Sequence, residues 1–62
     1  MLTKKDLQER YIVIREAKHE DITILSENYR ILMSNAINNE EREQYRKLVV
    51  VTNIKKSLLN SL

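Results

Sequence analysis

The chain has 62 residues, 32% of them charged and 42% hydrophobic, a formal net charge of +2, and no Cys, Gly or Pro. So short a chain makes one small domain, hides only about 60% of its unfolded surface, and usually needs a staple. No disulfide can supply one, and the lone histidine, His19, falls short of the about four Cys or His ligands of a structural zinc site. Calcium loops and phosphate-cradling loops require glycine, so they are excluded too. The staple left is self-association or a partner chain.

No apolar run approaches the roughly 20 residues that span a bilayer. The segment from Met1 to Asp6 has lysines but no apolar stretch behind them, so no signal peptide and a cytoplasmic location are expected. The abundance of Asn, Lys and Ile fits an AT-rich bacterial, plasmid or phage genome.

The first predicted helix covers residues 4–18. Thr3 and Asp6 have capping-box spacing, with Asp in place of the usual Glu. Asp6 and Arg10 form an i,i+4 pair, and Leu7, Tyr11, Ile14 and Ala17 make the inward stripe. Lys18 and His19 then stand where cations suit a helix end.

The second helix is expected over residues 22–37, capped by Asp21 or Thr23. Ile22, Leu25, Tyr29, Leu32 and Ala36 form a heptad seam, widened by Met33. Ile24 and Ile31 lie opposite that seam, one heptad apart. A helix with apolar groups on two faces is central in a bundle or joined to another chain.

The third helix is expected over residues 39–59. Asn38 and Glu41 have capping-box spacing, acids fill the first turn, and Glu43 and Lys47 pair at i,i+4. Tyr45, Leu48 to Val51, Ile54, Leu58, Leu59 and Leu62 cover more of the helix than one neighbour can bury. Of the run Val49-Val50-Val51, at least one side chain must face away from the core. Lys55 falls within the apolar arc, where it must snorkel to water or meet an acid.

Tyr11 to Ile14 and Leu48 to Thr52 are β-branched runs with strand propensity. A strand over Tyr11 to Ile14 followed by two helices would resemble a ribbon-helix-helix DNA-binding protein. Those proteins usually carry Gly between their helices, and Asn35 to Asn39 has none. Packing easily overrides helix penalties of about a few tenths of a kcal/mol per β-branched residue. The expected fold is therefore all-α: a three-helix bundle or helical hairpin completed by dimerisation, with ribbon-helix-helix as the minor alternative.

Catalysis needs a nucleophile with a base, a metal or a cofactor cradle. Ser26, Ser34, Ser57 and Ser61 have only His19 to call on, in a polar stretch. The acid pairs Glu16/Glu20 and Glu40/Glu41 read as caps and solvated faces. No enzyme activity, cofactor, metal or small-molecule substrate is expected. Residues 44–62 carry Arg46, Lys47, Lys55 and Lys56 and no acid, as a basic patch or as cations suited to a helix C-terminus. In a helix-turn-helix reading the recognition helix would begin Glu40-Glu41-Arg42-Glu43, the wrong sign for a polyanion. Membrane-surface binding would need large aromatic anchors that the basic helix lacks.

The favoured function is a non-enzymatic helical regulator or inhibitor that binds a partner protein through an apolar helix face. Ile24, Ile31, Val50 and Ile54 are its candidate contacts, and Arg30, Lys55 and Lys56 would set orientation and on-rate. A homodimer is expected with it. A small dimeric DNA-binding regulator is the alternative, and a homo-oligomer without another partner the third reading.

Overall fold

The computed structural model describes residues 2–62. Met1, which opens the segment read above for a leader, lies outside them. Three helices follow in order: α1 (Lys4–Glu16), α2 (His19–Ser34) and α3 (Asn39–Asn60). Among the described residues there is no strand. The minor ribbon-helix-helix alternative is corrected: Tyr11 to Ile14 are helical, and the packing of Tyr11 and Ile14 into the core outweighs the small propensity cost.

Local chemistry sets most of the helix ends. Thr3 Oγ1 accepts from Asp6 N–H and Asp6 Oδ2 accepts from Thr3 N–H, both at 3.1 Å, so the capping box closes in both directions. Asn38 Oδ1 accepts from Glu41 N–H at 2.8 Å and starts α3. The start of α2 differs from expectation. It lies at His19, three residues early, after Lys18, which makes no side-chain cap. Asp21 sits inside the first turn, where its charge favours the helix dipole, and Thr23 donates back to the His19 carbonyl.

The helix also ends early, at Ser34, so Ala36 is buried from the turn rather than from α2. Ala17, Lys18 and Asn38 are extended, and Asn35 lies near φ −92°, ψ 1°. No described residue has a positive φ, which is why both connections dispense with glycine.

Cross-chain polar contacts fix the topology. Gln44 meets Leu2 and Lys55 meets Arg15, so α1 and α3 run in the same direction. Ser26 meets Asn53 and His19 meets Asn60, so α2 runs antiparallel to both. Most interhelical packing lies between α2 and α3; α1 leans on α3 and barely meets α2.

The core is Ile14, Ile22, Tyr29, Leu48 and Val49, with Leu7, Tyr11, Leu25, Tyr45, Val51 and Leu59 packed around it. On α2 the buried stripe is rotated from the predicted seam. Ser26 is buried and Met33 half-buried, while Leu32 is exposed. The reason is a polar pin: Ser26 Oγ donates to Asn53 Oδ1 at 3.0 Å across the α2–α3 contact. Thr52, fully buried on α3, donates its hydroxyl to the Leu48 and Val49 carbonyls and so needs no partner elsewhere.

Candidate functional site

Three exposed features stand out among the described residues once the core is built. The first is a groove of about 460 Å³ where α1 and α2 splay apart from their two-residue connection. Val13 and Ala17 of α1 and Ile24 and Leu25 of α2 line it, and its charges are the carboxylates Glu16 and Asp21. The second is the outer side of α3, where Val50, Ile54 and Leu58 recur every four residues beside Asn53, Ser57 and Ser61. The third is a smaller cleft of about 200 Å³ on the other side of α1, against α3. Tyr11 and Ile14 face Val51, Ile54 and Leu58 there, and its charges are the cations Arg15 and Lys55.

The candidate contacts occupy these features unevenly. Ile24 and Ile31 are 57% and 59% exposed, Val50 45% and Ile54 56%. They are not gathered into one patch: Ile24 lies in the α1–α2 groove, while Val50 and Ile54 lie together on α3. Ile31 lies on α2 seven residues beyond Ile24, about two helical turns. In the valine run, Val49 is buried, Val51 half-buried and Val50 turned outward, as successive helical positions require. Sequence reasoning did not single out Ile12, Val13 and Leu58, which are also exposed. For Ile12 and Val13 the signal was present: they flank the inward Ile14, so a helix must point them elsewhere.

Of the charges, Arg30 is exposed and Lys56 half-buried. Lys55 meets no acid: its ammonium donates to the Arg15 carbonyl at the exposed C-terminal end of α1 and caps it. Arg46 pairs with Glu43 at 3.2 Å, in place of the predicted Glu43–Lys47 pair, and this is the one ion pair among the described residues. These two engagements occupy two of the five basic residues in α3, and Glu40 and Glu43 stand exposed at its start.

Asp6 and His19 carry structural duties. Thr3, through its backbone N–H first and its hydroxyl second, holds the Asp6 carboxyl below the usual aspartate range. His19 Nε2 is bonded to Asn60 Oδ1, tying the start of α2 to the end of α3. Among the described residues no three acids or histidines converge as metal ligands, and no helix is long and apolar enough to cross a membrane.

No family model matches the chain, and no curated protein or solved structure matches it.

Proposed function

We propose that this chain acts without catalysis, by binding and masking the surface of a partner protein as a small cytoplasmic regulator or inhibitor. One observation carries the reading: Ile24, Ile31, Val50, Ile54 and Leu58 leave between 45% and 62% of their surface uncovered on rigid helices. Isolated exposed aliphatics are ordinary, but rows of them along preformed helices suit a docking face. Arg30 and Lys56 would steer the approach. The AT-rich composition suits a phage, plasmid or bacterial source. The DNA-binding alternative draws no support from the acidic start of α3 or from the tied Lys55 and Arg46.

Covering a half-exposed Ile or Val contributes about 1 kcal/mol, half the value for a fully buried one. Replacing two such contacts with Asp should therefore cost at least ~2 kcal/mol, about a 30-fold loss of affinity. The test is capture of partners from source-cell extract on the intact protein and on an Ile31→Asp/Val50→Asp variant, followed by calorimetry with the purified partner. Loss of one specific protein from the variant, with its circular dichroism still helical, is the expected result. An identical set of captured proteins would remove the proposal.

A further inference from the structure

Helix α1 stands between two recesses of opposite sign. On its Val13–Ala17 side the groove toward α2 holds Glu16 and Asp21 and no base. On its Tyr11–Arg15 side the cleft toward α3 holds Arg15 and Lys55 and no acid. Both recesses have apolar floors. Between them, on the outward side of α1, Ile12 is 45% exposed. At 100° per residue it lies roughly opposite the buried Ile14. One face of the molecule thus runs, across α1, from acidic and apolar, through Ile12, to basic and apolar.

Such a face is complementary to a second copy of itself in one orientation. A two-fold axis lying in the interface along α1 turns left into right. It sets the acidic recess of each copy against the basic recess of the other, twice, with α1 beside α1 and Ile12 near its own counterpart. An in-plane axis perpendicular to α1 would place acid on acid and base on base. Isologous self-complementarity of this kind is the commonest way a soluble chain closes into a dimer.

The exposed area agrees. The chain presents 4652 Å² to solvent. A compact monomer of this size presents about 4,200 Å², about a tenth less. A dimer of the smallest stable class buries about 600 Å² per partner. The splay of α1 from α2 leaves surface of that order to cover.

We propose that two copies of this chain pair through the α1 face about a two-fold axis parallel to α1, each Glu16/Asp21 groove receiving the Arg15/Lys55 edge of the other. The inference rests on reading the exposed aliphatic residues as contact surface. It then divides them: Ile24 and Ile54 serve the second copy, and Ile31 and Val50 remain for a foreign partner.

Sedimentation equilibrium, charge reversal and cross-linking test it. The full chain should be dimeric at micromolar concentration, and the dimer should weaken several-fold between 50 and 500 mM salt, on the order expected for screened pairs. Glu16→Lys/Asp21→Lys and Arg15→Glu should each be monomeric alone and form a mixed dimer together. Because the chain lacks cysteine, an Ile12→Cys variant reports the axis: it should oxidise rapidly to a covalent dimer, whereas Ile37→Cys, in the exposed turn, should not.

A parent that stays monomeric at 200 µM, on the order of a hundred times the expected dissociation constant, would overturn the proposal and leave this face to a foreign protein. A dimer indifferent to both charge reversals, or two reversed variants that fail to pair while each remains helical, would overturn the axis. None of these results bears on Ile31 or Val50, so the partner-binding proposal stands or falls separately.

Discussion

Replacing Gln44 should loosen α1 while leaving the α2–α3 pair in place. The Gln44 side chain reaches across from α3 and grips the backbone of Leu2: its Oε1 accepts from the Leu2 N–H at 3.1 Å and its Nε2 donates to the Leu2 carbonyl at 2.8 Å. Both bonds are part-buried and join residues 42 positions apart. A net hydrogen bond is worth about 0.5–1.5 kcal/mol, and at a partly wetted site the lower half applies. Gln44→Met keeps the length and apolar bulk and removes both bonds, so the loss should be ~1–2 kcal/mol. In a domain of this size each kcal/mol lowers Tm by roughly 4–8 °C, giving a fall of about 4–16 °C. Gln44→Glu keeps the acceptor, loses the donor and sets a carboxylate against the Leu2 carbonyl, so it should lose at least as much. Thermal unfolding by circular dichroism measures the total. Hydrogen exchange locates it: α1 amides should exchange about 5- to 30-fold faster, the rate equivalent of that loss, while those at the α2–α3 contact change less. Unaltered α1 exchange in both variants would refute the idea that this clamp holds a weakly docked helix.

Three further outcomes follow from the same packing. Leu48 is wholly buried at the meeting point of the helices, so Leu48→Ala should cost about 2–5 kcal/mol. A chain of this length has only about 3–9 kcal/mol in total, so urea titration should show a variant near or past its unfolding midpoint in water. Ser26→Ala should cost about 1 kcal/mol by stranding Asn53 Oδ1, whereas Ser26→Ala/Asn53→Leu should recover most of it, because an apolar pair leaves nothing unsatisfied; a double-mutant cycle with no coupling would count against the pin. The Asp6 carboxyl is held below its usual range by Thr3, so the cap stabilises at neutral pH and is lost as pH falls through that lowered value. Acid titration of helicity should show this loss in the parent and not in Asp6→Asn, measured by circular dichroism.

What could be read from the residues was what the residues settle among near neighbours. Thr3 with Asp6, and Asn38 with Glu41, marked the starts of α1 and α3 because a cap is written within four positions. The outward Ile24 and Ile31 were legible because a helix that buries Ile22 and Tyr29 must turn them away. The start of α2 was not, since Lys18 provides no cap, and His19-Glu20-Asp21 reads equally as the end of one helix or the start of another. Burial of Ser26 depends on Asn53, 27 positions away, and no local pattern announces that pairing. Lys55 and Gln44 bind backbone groups of α1, and a backbone group has no letter in a sequence. The opposite charges on either side of α1 became visible only when the helices took their places, because Arg15 and Glu16 are adjacent in the chain yet face different recesses.

The parallel run of α1 and α3 has a consequence for how the chain is made. α1 is synthesised before α3, the helix that grips both its ends. At about 5–20 residues per second, Gln44 is added ~2–8 s after Leu2. Until α3 emerges, the nascent first helix has only α2, which it barely touches, and its Leu7, Tyr11 and Ile14 stay bare. The emerging segment is thus a ready client for whatever guards new polypeptides, until α3 arrives and draws it in.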